Sequence, residues 1–439
     1  MRRLATALLF LFSVSLCAQK HGWLGTWATA NVPMGTPQQE RLHLGEAMMT
    51  VRQVVHLSQG GTMARVKFTN EFGTAPLHIS SAHVAFLAAG SKILIHTDKP
   101  LLFSGQPGVT IPAGGFVASD AVKQVTPAYG DLVITMVLPV QPIPVVTHHS
   151  LGLTATYIVA GDRVGDEQFA PLSTPPPGLA APDVAAPIQQ PDPLAKPIVR
   201  QNAPGAAEKA PGTPDAPLIV SSYLFLKDVE VDSGRKSKAV VCFGDSITDG
   251  VGSTPETDRR YPDQFSGLLS LTTHEIDVAV LNAGISGNQL LQDDAGPKAS
   301  DRFDRDVLTQ QGVTHVILLE GINDIGHGGV TAQQVIDAMT ALAVRAHAKR
   351  LRIYGATLTP FEGAKYYTPE REAIRQQVNA FLRQNTVFDG VIDFDKATQD
   401  PQHPSQFLPK NDHGDHLHPS DLGYTAMASA INVKWFRKK

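Results

Sequence analysis

The chain has 439 residues, of which 42% are hydrophobic and 18% charged, and a formal net charge of -4 at pH 7. This composition is typical of a folded chain with two or three domains, and it excludes a disordered or repetitive class of protein. The slight negative charge and the absence of a long basic stretch give no electrostatic argument for a nucleic-acid or anionic-membrane partner.

The N-terminus has the pattern of a Sec-type signal peptide. Basic residues at positions 2 and 3 precede the apolar run LATALLFLFSVSLCA, and polar residues follow it. The run is shorter than the ~20 residues of a membrane-spanning helix. We therefore predict a signal peptide at 1–18, a secreted or periplasmic protein, and no integral membrane segment after cleavage. A lipid anchor on Cys17 is the alternative, which the bulky Leu16 disfavours.

Only two cysteines are present, Cys17 and Cys242. Cleavage of the signal peptide leaves one thiol, which excludes an intrachain disulfide and a cysteine-type zinc site. Cys242 lies inside an apolar strand pattern and is interpreted as a core residue.

Residues 22–162 read as a succession of short strands. TMARVKFTNEFG, KILIHTDKPLLFSG and DLVITMVLP alternate or cluster apolar residues, and Gly, Pro and Asp separate them. This pattern predicts a β-sandwich domain.

The following stretch, 163–217, is rich in proline and alanine, with 13 of the chain's 32 prolines between Pro171 and Pro217. Such a segment buries too little apolar surface to order itself. Residues 218–237 then contain the strand pattern SSYLFLKDVEV. If this strand completes the β domain, 163–217 is an insertion in that domain; otherwise it is a linker.

From 238 to 439 apolar strands alternate with helix patterns. The strands are AVVCFG, DVAVLNAG, THVILLEG, LRIYGATL and GVIDF. This alternation predicts a three-layer α/β/α sandwich with a five-stranded parallel sheet, preceded by the β-sandwich domain.

Polar groups follow several of these strands, and the crevice beyond the carboxyl ends of parallel strands is where α/β proteins bind ligands. Ser246 follows the first strand, the loop NAGISGNQ follows the second, and EGINDIGHGG follows the third. NDHGDHLHPSDLGY lies after the fifth, with Asp415 three residues before His418. A serine needs a base to become a nucleophile, and an imidazole held by a carboxylate suits that task.

These segments resemble the motif set of the SGNH/GDSL hydrolase superfamily, as GDSIT, NxGxSG, GxND and DxxHP in that order. The resemblance spans roughly 240 to 430 and implies the flavodoxin-like SGNH hydrolase fold. It implies Ser246 as nucleophile, His418 as base and Asp415 as its orienting acid. It further implies an oxyanion hole made by the Ser246 and Gly287 backbone N–H groups and the Asn323 amide. GWLGTWATA and the segment 51–73 also look like the leading β domain of some two-domain bacterial members.

The same residues have other interpretations. The acids and histidines of 412–418 are potential zinc ligands, but a metal site leaves Ser246, Gly287 and Asn323 without a role. We therefore predict no metal and no cofactor. Asp245, Thr248 and Asp249 are interpreted as structural groups of the turn.

The leading hypothesis is a secreted serine esterase that hydrolyses carboxylic esters through an acyl-enzyme on Ser246. Its expected substrates are short-chain or acetyl esters, either small molecules or carbohydrate esters. One alternative is an acyltransferase that uses the same triad. The other is a carbohydrate-binding protein that acts through the β domain, although only three tryptophans are present to stack on sugars.

Overall fold

The computed structural model describes residues 22–169, 216–234, 237–272, 278–384 and 386–436. The predicted signal peptide, Cys17 and most of the proline-rich stretch lie outside the described residues.

The N-terminal β region, residues 22–234, contains one short α-helix, α1 (Thr36–Glu40), one 3₁₀ turn at Ile95–Thr97, and otherwise strands and loops in its described part. The strands are β1 (Trp23–Ala28), β2 (Val32–Pro33), β3 (Met49–His56), β4 (Ala64–Thr69), β5 (Leu77–Ile79), β6 (Ser81–Ala89), β7 (Lys92–Ile93), β8 (Lys99–Leu101), β9 (Val109–Ile111), β10 (Phe116–Ala118), β11 (Asp131–Leu138), β12 (Thr147–His149), β13 (Thr156–Ala160), β14 (Leu218–Val220), β15 (Tyr223–Leu224) and β16 (Leu226–Asp232).

Two larger sheets in this region share one apolar cluster. The four-stranded sheet has the order β1-β16-β4-β10, and the seven-stranded sheet runs β14-β13-β3-β11-β6-β7, with β8 against β6. Both sheets contribute buried side chains to the cluster, such as Val51 and Ile134 from one, and Phe68 and Val229 from the other. The region is therefore β-rich, as the strand patterns predicted.

The chain returns to this region after the proline-rich stretch. β14 pairs antiparallel with β13, and β16 pairs antiparallel with both β1 and β4. The strands on either side of the stretch are thus neighbours in one sheet, so the chain leaves and re-enters the same sheet.

The α/β region, residues 237–436, alternates strands and helices. Its elements are β17 (Lys238–Gly244), α2 (Ser246–Asp249), α3 (Tyr261–Thr272), β18 (Val278–Gly284), α4 (Ala299–Phe303), β19 (Val313–Leu319), α5 (Ile322–His327), α6 (Ala332–Ala348), β20 (Arg352–Ala356), α7 (Pro369–Arg383), β21 (Gly390–Ile392), α8 (Phe394–Thr398) and α9 (Asp421–Ala430). The helix predicted after β18 is shorter than its sequence pattern indicated, because α4 continues as a π-helical turn at Asp304–Leu308.

The predicted five-stranded parallel sheet is confirmed, with the order β18-β17-β19-β20-β21. In chain order this is 2-1-3-4-5, the flavodoxin-like arrangement. Six of the seven residues of β17 are buried, because helices cover both faces of the sheet. No helix in the described part of the chain is both long and apolar enough to cross a membrane.

The register places three strand ends at one level. Gly244 of β17 lies opposite Gly284 of β18 and Leu319 of β19. The loops that follow these strands therefore start side by side.

The two regions share a hydrophobic core. Leu24, Ala28 and Val32 from the β region belong to the same buried cluster as the strands of the α/β sheet. The backbone N–H of Gly25 also donates to the carbonyl of Gln311 at 2.9 Å. β1 thus completes the β region on one side and packs against the α/β region on the other.

We predict that Gly284→Ala destabilises the protein because the backbone of α2 crosses β18 at this glycine. A Cβ at Gly284 would lie 2.3 Å from the Asp249 backbone nitrogen, and backbone cannot rotate away. Overpacking of this kind costs about 1–3 kcal/mol of unfolding free energy. Denaturant unfolding measures the loss.

Gly267→Ala is the matched control, because Gly267 lies in α3 and a Cβ there meets no atom within 4 Å. An alanine in that helix stabilises by up to about 1 kcal/mol. Equal unfolding free energies for the two variants would contradict the close approach at Gly284.

Candidate active site

Ser246 is the first residue of α2, directly beyond the end of β17. The side chain of Asp245 caps this short helix by accepting the Ile247 N–H at 2.9 Å. The turn is tight: a Cβ at Gly244 would lie 2.2 Å from the carbonyl oxygen of Leu319. Strand, glycine and cap together fix the position of Ser246, which is 6% exposed.

The loop before α9 holds Asp415 and His418 in one orientation. Oδ1 of Asp415 accepts the backbone N–H groups of Leu417 at 3.1 Å and His418 at 2.9 Å, and Oδ2 contacts His418 Nδ1 at 2.6 Å. Because a carboxylate accepts, Nδ1 carries the proton and Nε2 presents its lone pair.

That lone pair faces the serine: His418 Nε2 lies 2.9 Å from Ser246 Oγ. Burial by itself would raise the pKa of Asp415, but the hydrogen bond and charge of His418 outweigh it and hold this pKa well below its usual range. The structure therefore brings Ser246, His418 and Asp415 into one hydrogen-bonded chain with an ionised carboxylate at its end.

Asn323 lies beyond the end of β19, the strand next to β17. It is in the first turn of α5, the helix that follows β19, and is 5% exposed. Its amide Nδ2 donates one hydrogen to the carbonyl of Asn288 at 2.9 Å. An amide nitrogen carries two hydrogens, so this bond orients Asn323 and leaves one donor for another acceptor.

The loop after β18 is fixed at two points on either side of Gly287. Asp249 Oδ2 accepts both the Ser286 N–H at 2.9 Å and the Ser286 hydroxyl at 2.6 Å. Asp324 accepts the N–H groups of Leu290 and Leu291 at 2.8 and 3.0 Å. Gly287 itself has φ +80°, a conformation that favours glycine.

Two buried carboxyl groups lie close to Ser246. Burial raises the pKa of Asp245 to about 7, although the Ile247 N–H and the charge of His418 oppose the shift. Burial also raises the pKa of Glu320 well above its ordinary value. One oxygen of Asp245 and both oxygens of Glu320 have no hydrogen-bond partner, and the Arg302 guanidinium lies 3.8 Å from Glu320 Oε2.

Four of the potential ligands of 412–418 form two carboxylate–imidazole pairs. His416 Nδ1 contacts Asp412 at 2.6 Å, in parallel with the pair formed by His418 and Asp415. Within the described ranges, three potential metal-binding side chains meet only at His56, Asp131 and Asp258, none of which belongs to 412–418. There the His56 imidazole lies between the two carboxylates, 2.7 and 3.4 Å from them, as an ion-paired histidine would.

Sequence reasoning missed the arginine behind the site. Arg302 of α4 is buried and donates to the carbonyls of Gly244 and Ala283 at 2.8 Å each, and to Asn288 Oδ1 at 2.7 Å. A lone arginine in a helix pattern gives no signal of this role.

A family model matches residues 242–426 of the chain, that of the GDSL-like Lipase/Acylhydrolase family. A search of curated proteins finds no significant match.

Solved structures that resemble the chain include a putative lipolytic protein of the G-D-S-L family from Desulfitobacterium hafniense DCB-2, at 20% identity and a TM-score of 0.35, covering 44% of this chain and 97% of that one. A mutant acetyl-xylooligosaccharide esterase from Geobacillus Stearmophilus has 23% identity and a TM-score of 0.35 over 46% of this chain and 97% of its own. The aryl esterase of M. Smegmatis has 18% identity and a TM-score of 0.34 over 46% and 100%.

The family match covers the four loops that surround Ser246 and most of the parallel sheet beneath them. Residues 242–426 are therefore a GDSL-like lipase/acylhydrolase domain, which supports a carboxylic ester hydrolase, and an additional N-terminal β region precedes this domain.

Proposed function

We propose that this chain is a serine esterase that hydrolyses short-chain carboxylic esters through an acyl-enzyme on Ser246. The observation that carries the proposal is the unbroken contact from Asp415 through His418 to Ser246, at 2.6 and 2.9 Å. A serine, an imidazole and an ionised carboxylate in this order are the parts that nucleophilic acyl transfer requires.

In the proposed first step, Ser246 Oγ attacks the ester carbonyl carbon while His418 Nε2 takes the hydroxyl proton. The imidazolium then gives this proton to the departing alcohol oxygen, and the acyl group stays on Ser246. In the second step His418 takes a proton from water, whose oxygen attacks the acyl carbon; the imidazolium then returns this proton to Ser246 Oγ as the bond between Oγ and the acyl carbon breaks and the carboxylic acid leaves. Asp415 holds the ring and stabilises its charged form throughout.

Each attack places negative charge on the carbonyl oxygen of the substrate. We propose that the backbone N–H groups of Ser246 and Gly287 and the free Asn323 hydrogen stabilise this oxyanion. The contacts that hold Asn323 on Asn288 and Ser286 on Asp249 support this assignment, because donors fixed before the reaction need no reorganisation during it.

The surroundings of Ser246 favour short acyl groups. The nucleophile and Asn323 are buried, and of the large apolar side chains exposed in the described chain, Leu422 in the first turn of α9 is the one that belongs to the four segments around them. A lipid-binding surface requires a contiguous patch of such side chains. We propose small or carbohydrate-borne acetyl esters as substrates, and export of the protein through the apolar run at 1–18.

We predict that Ser246→Ala and His418→Asn each abolish almost all hydrolysis of p-nitrophenyl acetate, because the two residues act as one unit. Ser270→Ala and His416→Asn are the matched controls, since both side chains are exposed. They should leave the rate unchanged. Near-native turnover by folded Ser246→Ala would refute the mechanism.

We predict that Asn323→Ala lowers kcat about 10²–10³-fold with little change in KM, because an oxyanion exists only after Ser246 attacks. Steady-state kinetics and the melting temperature of the same sample check this. If Asn323 only shapes the turn before α5, the variant will melt earlier but keep its kcat.

We predict that Asp245→Asn changes how stability depends on pH. Unfolded Asp245 ionises near its ordinary pKa of 3.8, whereas burial keeps the folded group protonated up to a pKa of about 7. Between these two pKa values unfolding releases a proton from Asp245, so the free energy of unfolding of the wild type falls as pH rises. Asparagine does not ionise, so Asp245→Asn lacks this contribution to the fall. Denaturant unfolding from pH 4 to pH 8 should give diverging curves; parallel curves would show that Asp245 is ionised in the folded protein.

A further inference from the structure

We propose that His149, a residue of the N-terminal β region, is a positioning residue for the catalytic site, acting through Asp249. His149 ends β12 and is 4% exposed. Its Nε2 lies 2.9 Å from Asp249 Oδ1 in the α/β region, and its Nδ1 lies 2.7 Å from the carbonyl of Ala30. The proposal rests on the function proposed above.

The hydrogen bonds fix the ring and its proton. A carbonyl only accepts, so Nδ1 of His149 donates to Ala30. A single proton then lies between Nε2 and Asp249 Oδ1, whichever of the two atoms holds it. Both contacts are buried, where an unsatisfied polar atom is costly, so the imidazole holds the Asp249 carboxyl group in one rotamer.

The other oxygen of Asp249 holds the loop of Gly287. Oδ2 accepts the N–H and the hydroxyl of Ser286 at 2.9 and 2.6 Å. The Asp249 backbone belongs to α2, the helix that Ser246 starts, and its N–H donates to the Asp245 carbonyl at 2.9 Å. One carboxyl group therefore joins the turn of the proposed nucleophile to the loop of a proposed oxyanion donor.

This arrangement makes His149 important for the rate and not only for stability. Ser246 and Gly287 supply two of the proposed oxyanion donors, and Asp249 sets the distance between their segments. If the carboxyl group loses His149, Oδ1 is left buried without a partner and rotation toward another donor moves Ser286. A displacement near 1 Å at a catalytic site lowers the rate about 10²-fold.

The test compares His149→Leu with His149→Gln in the full chain. We expect His149→Leu to lower kcat for p-nitrophenyl acetate about 10²-fold with KM nearly constant. The glutamine amide still donates to Asp249 Oδ1, so His149→Gln should recover most of the loss. A purely structural role predicts a lower melting temperature for both variants with unchanged kcat.

His148→Leu is the matched control. His148 lies on the same strand and is 2% exposed, and its Nδ1 has no hydrogen-bond partner. Burial lowers the pKa of His148 to about 3, so it is neutral and leucine replaces it without removing a charge. We expect native kcat for this variant; a loss equal to that of His149→Leu would overturn the proposal.

A double-mutant cycle with Ser286→Ala tests whether His149 acts on Ser286 through Asp249. If His149 acts through Asp249 on Ser286, the effects of His149→Leu and Ser286→Ala on kcat are not additive. Additive effects would overturn the path. Ser246→Ala in the same assay distinguishes failure of the proposed function from failure of the positioning role. If Ser246→Ala stays active, the proposed function is wrong. If Ser246→Ala is inactive and the His149 variants stay active, the positioning role alone is wrong.

Discussion

The site depends on how two neighbouring strands of a parallel sheet end. The carbonyl groups of Gly244 in β17 and Ala283 in β18 lie in buried residues at these ends, where buried carbonyls need donors, and the Ile285 N–H donates to Gly244 at 3.0 Å. Arg302 supplies them to Gly244 and Ala283 and adds a third bond to Asn288, while its guanidinium lies 4.1 Å from the centre of the Phe243 ring. A planar group with several fixed donors suits this task better than a lysine. Asn288 in turn accepts from Asn323 through its carbonyl, so the arginine connects the strand ends to the loops above them.

The carboxyl groups around Ser246 have different pKa values because their partners differ. Asp415 is ionised because His418 faces it, whereas burial raises the pKa of Asp245 and Glu320. The raised pKa values of Asp245 and Glu320 lower the negative charge behind the serine, where an oxyanion would form, and the ionised carboxylate of Asp415 lies beyond the imidazole. The environment, more than the residue type, separates these roles.

The sequence predicted the sheet and the residues around Ser246, because short-range signals encode both. Apolar runs such as 239–243 and the glycine-rich turns after them mark the strand ends, and parallel strands bring those ends together. Asp249 was interpreted as a group of the turn, and its partner His149 lies 100 positions away, so no local pattern connects them. Arg302 was missed for the same reason. The sheet pairing of 218–232 with β13, β1 and β4 likewise depends on register, which alternation alone does not set.

The position of β1 has a consequence for synthesis of the chain. Gly22, at its start, donates to Asp232 across 210 positions, and β1 also packs on β18, which is made later still. β1, the first strand of the described chain, therefore has an unpaired edge until β16, near the end of the β region, has been synthesised. Contacts of such long sequence separation close slowly and leave strand edges open to wrong partners. Chaperone binding to the nascent chain would act in this interval, before β16 arrives and covers the edge.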